Sequence, residues 1–124
     1  MIVLDTSVLV EALGAGGSMR APFRRTIAKG HRMVLPTLVL YEWLRGPRIP
    51  EELAAQEAVL PSDEALEFGV AEAELASQLY KDVSRARGRE IDLAIAACAM
   101  VWNGALWTVN PKDFQDIPGL RLHA

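Results

Sequence analysis

The chain has 124 residues, of which 51% are hydrophobic and 23% are charged, and its formal net charge is −3. These values predict a single folded domain spanning residues 1–124 and argue against a disordered or low-complexity chain. The slightly negative charge excludes a general attraction to polyanions, so any binding of nucleic acid has to come from local basic patches.

Short apolar runs alternate with helical patterns along the whole chain. The first run ends directly before Asp5, where a helix begins. A stripe of apolar residues at intervals of three and four predicts one long helix over residues 63–86, capped by Ser62 or Asp63 and packed against a sheet. We predict strands at residues 1–4, 33–35, 105–109 and 120–122, and helices at residues 7–13, 18–29, 37–45, 51–59, 63–86 and 91–102.

This alternation predicts the fold class. Strands that alternate with helices form a parallel sheet covered by helices on both faces, which is a three-layer α/β/α domain. Ligands in such domains bind beyond the carboxyl ends of the strands. Residues that follow the predicted strands are therefore the first candidates for a functional site.

No segment has the pattern of a membrane span or a signal peptide. The longest apolar run, residues 93–102, is far shorter than the roughly 20 residues that a helix needs to cross a bilayer. We therefore expect a cytoplasmic protein without a membrane span. The single Cys98 lies within this run, which is typical of a small buried residue rather than of a nucleophile.

Four acidic residues fall at or near the predicted strand ends. Asp5 and Asp113 follow strands, while Glu42 and Asp92 lie on helices that we expect to leave the same edge. Singly, Asp5 suits a helix cap, Glu42 a solvated helix edge and Asp113 a surface turn. Asp92 is different, because the helix that follows it has almost no polar surface. A carboxylate placed there needs a positive partner.

Taken together, the four acids predict a metal-dependent hydrolase of phosphodiesters. Crowded carboxylates raise one another's pKa unless a cation balances them. Hard oxygen ligands select Mg²⁺ or Mn²⁺, which keep several waters and bind through one or two carboxylates and substrate phosphate oxygens. Such an ion can activate water and stabilise the leaving oxygen.

Four segments of the chain resemble the PIN-domain ribonucleases, in particular the VapC-type toxins of bacterial and archaeal toxin–antitoxin pairs. The segments are IVLDTSVLVEAL, LPTLVLYEWLRG, IDLAIAACAM and LWTVNPKDFQDIPGLRL, in the family's order and over nearly the whole chain. Each segment is weakly specific. The combination is specific, because all four acids are in register with Asp-Thr-Ser after a strand and Thr-x-Asn-x-x-Asp-Phe near the end.

The resemblance implies an endoribonuclease that uses Mg²⁺, with Mn²⁺ as a substitute. It implies that Asp5 and Asp92 bind the metal, that Glu42 helps to orient the attacking water, and that Asp113 supports a second ion or the substrate. Water would attack in line with the leaving 3′-oxygen and leave a 5′-phosphate. The supporting polar positions that it implies are Thr6, Ser7, Thr108 and Asn110.

The same resemblance implies partners and shows one departure. The implied partners are an RNA substrate, a cognate antitoxin and a second copy of the chain in a homodimer. The departure is the approach to Asp92 through Gly88, Arg89 and Glu90, which is shorter than in many relatives. It leaves Glu90 as a rival metal ligand.

Basic residues form two groups that could border an acidic pocket. Solvated helix faces explain many such runs, yet a ribonuclease needs basic rims to hold phosphates beside its carboxylates. Arg87 and Arg89 are nearest to Asp92 in the sequence, and we predict that they contact RNA phosphates. His31 and His123 have no spacing typical of ligands, so no role is assigned to them. The first basic group consists of Arg20, Arg24, Arg25, Lys29 and Arg32, and the second consists of Arg85, Arg87 and Arg89.

The three tryptophans lie within apolar segments, and we predict that they belong to the core. They are Trp43, Trp102 and Trp107.

Other functions fit the sequence less well. A phospho-accepting receiver domain needs an adjacent acidic pair after its first strand, where this chain has only Asp5. An aspartyl-phosphate phosphatase needs a second Asp at the position of Ser7. A PIN fold that only binds would not retain all four acids. A stand-alone RNA-processing nuclease would share the same site and differ only in having no antitoxin.

Overall fold

A computed structural model describes residues 1–124 and contains three parallel strands and six α-helices. Strand β1 (Ile2–Leu4) lies between β2 (Met33–Val34) and β3 (Ala105–Trp107). The helices flank the sheet, which confirms the predicted α/β/α class. The helices are α1 (Thr6–Leu13), α2 (Arg20–Ala28), α3 (Thr37–Arg45), α4 (Pro50–Val59), α5 (Val70–Asp82) and α6 (Glu90–Val101), and short 3-10 turns lie at Ser62–Glu64 and Pro111–Asp113.

The sheet forms the centre of the hydrophobic core. Val3 is fully buried and pairs with Val34 on one side and Leu106 on the other. Such short strands consist of uninterrupted apolar residues because both faces of a covered parallel sheet are buried. Gly104 lies so close to β1 that an added Cβ would approach the Cγ2 atom of Val3 to 2.9 Å. The start of β3 therefore has no room for a larger residue.

Two single bridges extend the sheet at its edges. Leu122 pairs in parallel with Leu106, which reduces the predicted strand at residues 120–122 to one bridge. On the other side, Leu66 pairs in parallel with Pro36.

This second bridge explains why the prediction of a helix over residues 63–86 is wrong in its first part. The N–H of Leu66 donates to the carbonyl oxygen of Leu35 at 2.7 Å, and its own carbonyl accepts from the N–H of Thr37 at 2.8 Å. These sheet-like bonds hold the segment extended despite its helical spacing. Helix α5 begins only at Val70.

The start and the packing of α5 also differ from the prediction. Its N-cap is Gly69, whose N–H donates to the carboxylate of Glu72, so neither Ser62 nor Asp63 caps it. Helix α5 packs chiefly against α6 rather than against the sheet. Val70, which belongs to the predicted apolar stripe, is 76% exposed.

Helix α6 is buried along most of its length, as its composition predicts. Every residue from 93 to 99 is buried, and burial raises the pKa of the Cys98 thiol to about 12. Trp43 and Trp107 are buried as predicted. The prediction for Trp102 is wrong: it follows the last turn of α6 and is 52% exposed. None of the six helices combines the length and apolar character needed to traverse a lipid bilayer.

Candidate active site

Asp5 lies at the carboxyl edge of the sheet, directly after β1 and beside the end of β3. Its N–H donates to the carbonyl oxygen of Trp107 at 2.9 Å, and the residue is 6% exposed. It occupies the N-cap position of α1, but its side chain makes no capping hydrogen bond. Instead, Oδ2 accepts hydrogen bonds from the hydroxyls of Ser7 and Thr108, each at 2.8 Å. The other oxygen, Oδ1, receives no hydrogen bond from the protein and is free to bind a cation.

The two hydroxyls that hold Asp5 also anchor the loop after β3. Ser7 Oγ accepts from the N–H of Val109 at 3.1 Å, and Thr108 Oγ1 accepts from the N–H of Asn110 at 3.0 Å. Asn110 thus takes part through its backbone, while its side chain makes no hydrogen bond. The supporting positions suggested by the sequence are therefore close to Asp5, although Asn110 supports the site in a different way from the two hydroxyls.

Thr6 joins the first helix to the helix that carries Glu42. Its hydroxyl donates to Glu42 Oε1 at 2.5 Å, although the two residues are 36 positions apart. The other oxygen, Oε2, lies 3.5 Å from Nη2 of Arg45. Glu42 is only partly exposed, so it is not simply a residue on a solvated helix edge. The link from α1 to α3 places this carboxylate in the same acidic group as Asp5.

Asp92 lies in the first turn of α6, and its carboxylate is half-buried and accepts no hydrogen bond from the protein. Its pKa is raised to about 6, first by burial and then by repulsion from Asp5, Asp113 and Glu42, while Arg89 opposes the rise. The other three acids are therefore all close enough to Asp92 to repel its charge. A carboxylate in this position is stabilised by a cation.

Asp113 lies at the end of a 3-10 turn and is exposed. Its carboxylate accepts no hydrogen bond, whereas its carbonyl oxygen accepts one from Nη2 of Arg89 at 2.9 Å. The guanidinium of Arg89 also pairs with both carboxylate oxygens of Asp116, at 2.6 and 2.9 Å. Asp116 was not identified from the sequence, because no local pattern links residues that are 27 positions apart.

These contacts distinguish the two arginines that we expect to hold RNA. Arg87 is exposed and forms no hydrogen bond or ion pair within the protein. Arg89 is bound to Asp116 and to the turn of Asp113, so contact with a phosphate would compete with those bonds. Both assignments stay predictions, and Arg87 is the more accessible of the two.

Glu90, the rival ligand, points its carboxylate into the preceding loop. Both of its oxygens accept from the N–H of Gly88, at 2.8 and 2.9 Å. Gly88 has a φ of +86°, a conformation that glycine adopts without strain. Glu90 is also not among the charges that raise the pKa of Asp92. The loop contact therefore leaves Asp92 as the acid of α6 that faces the other three.

The arrangement suits a hydrated divalent ion better than a closed metal site. No three acidic, histidine or cysteine side chains converge tightly enough to enclose an ion by themselves. A structural zinc site needs about four protein ligands in such a cluster. Mg²⁺ and Mn²⁺ instead keep waters and need only one or two carboxylates. Asp5 and Asp92 fit that requirement, because Oδ1 of Asp5 and both carboxylate oxygens of Asp92 accept no hydrogen bond from the protein.

The fold and the site define a small α/β domain with an acidic pocket at the carboxyl edge of a parallel sheet. The family model of the PIN domain matches residues 2–120. The chain therefore belongs to the PIN domain family, which is inconsistent with a receiver domain. No characterised protein sequence matches the chain at a significant level.

Solved structures with the same fold include two VapBC structures and one FitAcB structure. The DNA-bound VapBC of Salmonella typhimurium aligns with a TM-score of 0.77 and 24% identity, over 98% of this chain and 96% of that chain. VapBC2 of Rickettsia felis, bound to a DNA fragment from its promoter, aligns with a TM-score of 0.73 and 22% identity, over 99% of this chain and 98% of that chain. FitAcB of Neisseria gonorrhoeae aligns with a TM-score of 0.68 and 17% identity, over 99% of this chain and 97% of that chain. At these identities the similarity is one of fold.

Proposed function

We propose that this chain is an endoribonuclease that depends on Mg²⁺ or Mn²⁺ and acts as the toxin of a type II toxin–antitoxin pair. PIN domains are a nuclease family, which supports a phosphodiester hydrolase. The observation that carries the proposal is the hydrogen bonding of Asp5 and Asp92. Oδ1 of Asp5 accepts no hydrogen bond from the protein, and the carboxylate of Asp92 accepts none on either oxygen. Both residues belong to the same group of four acids.

Each residue of the pocket has a role in this proposal. Asp5 and Asp92 hold the ion, and a bound divalent cation supplies charge neutralisation and an activated water molecule. Ser7 and Thr108 fix Asp5 by occupying Oδ2. Glu42, fixed in turn by Thr6, accepts a hydrogen bond from the attacking water and so orients it. Asp113 supports a second ion or the substrate.

RNA binding then needs positive charge outside the acidic pocket. The four acids repel a polyanion, and only cations at the border can offset that repulsion. Arg87 is exposed and unpaired near the start of α6, so we propose that it contacts a substrate phosphate. We also propose that the protein acts on RNA in the cytoplasm.

The decisive experiment is cleavage of single-stranded RNA by the purified protein. We expect cleavage in Mg²⁺ or Mn²⁺, none in excess EDTA, and a loss of at least about a hundredfold in Asp5→Asn and Asp92→Asn. Asp63→Asn is the matched control, since it removes an exposed acid outside the pocket. Circular dichroism checks that the variants remain folded. Cleavage that persists without divalent ions would contradict the proposal.

The proposed partner is a cognate antitoxin with a basic side chain that binds the carboxylates. An arginine is well suited, because its guanidinium pairs bidentately with a carboxylate and would compete with a divalent ion. We expect the apparent affinity of the partner to fall as Mg²⁺ or Mn²⁺ rises at constant ionic strength, and this effect to disappear in Asp92→Asn. An equal response in both proteins would mean that the antitoxin binds elsewhere.

We also propose that the chain forms a homodimer. Tyr41 and Leu44 of α3 are more than half exposed and line an open cavity of about 500 Å³. Exposed apolar side chains of this size favour association with another surface. Light scattering of wild type and Tyr41→Ser, Leu44→Ser tests this, and a monomeric wild type contradicts it.

A further inference from the structure

A cavity of about 230 Å³ between α2 and the end of the chain brings together basic groups that are distant in the sequence. His31 and His123, the only two histidines of the chain, have ring centroids 6.2 Å apart. No Asp or Glu side chain lines this cavity. The lining side chains that carry or can gain positive charge are Arg25, Lys29, His31 and His123. We call this cavity the histidine pocket.

The four basic groups have no partner within the protein. None of their side chains forms a hydrogen bond or an ion pair with another residue, so their donors are available to a ligand. The helix dipole favours Arg25 and Lys29 at the end of α2, but it does not explain the histidines. His123 packs edge-on against Trp107, with 5.0 Å between ring centroids. Unpaired like charges that are held together favour an anion.

Consecutive residues at the end of β3 contribute to the histidine pocket and to the acidic pocket. Trp107 lines the former, and its neighbour Thr108 donates its hydroxyl to Asp5 in the latter. The same end of the sheet therefore contributes residues to both pockets, which is the structural reason to test the basic groups for binding of an RNA phosphate.

We propose that the histidine pocket binds a phosphate group and that, in the ribonuclease proposed above, it holds a backbone phosphate of the RNA being cleaved. The assignment to an RNA phosphate rests on the proposed function, whereas the binding of a phosphate group does not. Lys29 and Arg25 supply permanent charge, and the two imidazoles add donors. A free phosphate ion offers the same oxygens, so the two sources have to be distinguished by experiment.

The first test is an NMR titration with inorganic phosphate. Because both histidines lie in the histidine pocket, every imidazole signal of the protein reports on it. At constant ionic strength, set with chloride, we expect both imidazole signals to shift and to saturate. The affinity should fall about tenfold or more in Arg25→Gln, Lys29→Gln, since two charge-assisted hydrogen bonds are lost. The control Lys81→Gln, Lys112→Gln removes the same net charge from exposed positions outside the histidine pocket and should titrate like wild type.

A second readout is the pH dependence of sulfate binding, because sulfate keeps its charge where phosphate titrates. Burial, His31 and Lys29 hold the pKa of His123 below its usual value. A bound anion favours the protonated form of His123, so affinity should increase as the pH falls from about 8 to about 6. The other charged side chains that line the histidine pocket are Arg25 and Lys29. An affinity that does not change with pH would contradict a role for the histidines.

The RNA arm uses a single-stranded oligonucleotide of about eight nucleotides in EDTA, so that binding is measured without cleavage. We expect the oligonucleotide to shift the same imidazole signals, and a nucleoside without phosphate to leave them unchanged. Shifts with phosphate but not with RNA would show a free-anion site and overturn the RNA assignment. No saturable shift with either ligand would overturn the whole proposal. If RNA binds here but is never cut, the proposed nuclease function fails while the pocket stands.

Discussion

Arg89 and Asp116 form a bidentate ion pair, with Nη2–Oδ1 and Nη1–Oδ2 distances of 2.6 and 2.9 Å. The pair raises the pKa of Arg89 and lowers that of Asp116, so both groups stay charged. The same guanidinium donates to the carbonyl oxygen of Asp113. Since Arg89 immediately precedes α6, it connects the turn that carries Asp113 to the helix that carries Asp92.

Loss of this ion pair should reduce activity without unfolding the protein. We expect Asp116→Asn to lower RNA cleavage about two- to fivefold, because a partly exposed pair of this kind is worth less than about 1 kcal/mol. Asp116→Glu should recover much of the loss. Arg121→Gln is the control, as it removes a similar surface contact, to Asn103, at the opposite end of α6. An Asp116→Asn protein with full activity would show that Asp113 needs no such support.

Divalent ions should stabilise the folded protein. A ligand that binds only the native state raises Tm, and the relief of repulsion around Asp92 adds to the effect. We expect Mg²⁺ or Mn²⁺ to raise Tm by a few degrees in wild type and in Asp63→Asn, but not in Asp5→Asn or Asp92→Asn. Differential scanning fluorimetry with NaCl at equal ionic strength measures this. A rise that survives in both Asn variants would place the ion elsewhere.

The hydroxyl of Thr108 should matter for metal affinity. Thr108→Val removes one of the two donors to Oδ2 of Asp5 and the acceptor for the N–H of Asn110. We expect Mn²⁺ to bind several-fold more weakly and the unfolding free energy to fall by about 1–2 kcal/mol. Thr108→Ser keeps the hydroxyl and should behave nearly like wild type. Isothermal titration calorimetry and urea denaturation report the two effects, and equal behaviour of the Val and Ser variants would refute the prediction.

Without divalent ions, stability should decrease as the pH rises through the titration of Asp92. Its pKa is about 6 in the folded protein, against about 3.9 in an unfolded chain. The protonated acid is favoured by folding, so its contribution is fully present below about pH 4 and is lost as the pH rises through about 6. Asp116, whose pKa is lowered, has the opposite sign and loses its contribution as the pH falls.

A comparison with Asp92→Asn isolates the first of these effects. We expect urea denaturation in EDTA to show that wild type loses stability relative to Asp92→Asn between about pH 4.5 and pH 7. Added Mg²⁺ at neutral pH should restore this lost stability in wild type but leave the stability of Asp92→Asn unchanged. Parallel pH profiles for the two proteins would show that neither burial nor the neighbouring acids raise the pKa of Asp92.

Several features could be predicted because their signals are local. Apolar runs that end at Asp5 and begin again after Asn103 correspond to β1 and β3, and the apolar composition after Asp92 correctly predicts a buried helix. The helical spacing over residues 63–86 predicted one long helix, but the helix begins only at Val70. Hydrogen bonds with Leu35 and Thr37, which lie far away in the sequence, hold Leu66 in an extended segment.

The order of strands and helices, and the position of the acids after the strands, follow from local sequence patterns, since these features depend on neighbouring residues. The contacts that the side chains make depend on the tertiary structure. It directs the carboxylate of Asp5 to two hydroxyls instead of a helix cap, pairs Arg89 with Asp116, and brings His31 to His123. The physical reason is that such contacts form between remote segments, which become neighbours only when the parallel sheet assembles and its helices pack around it.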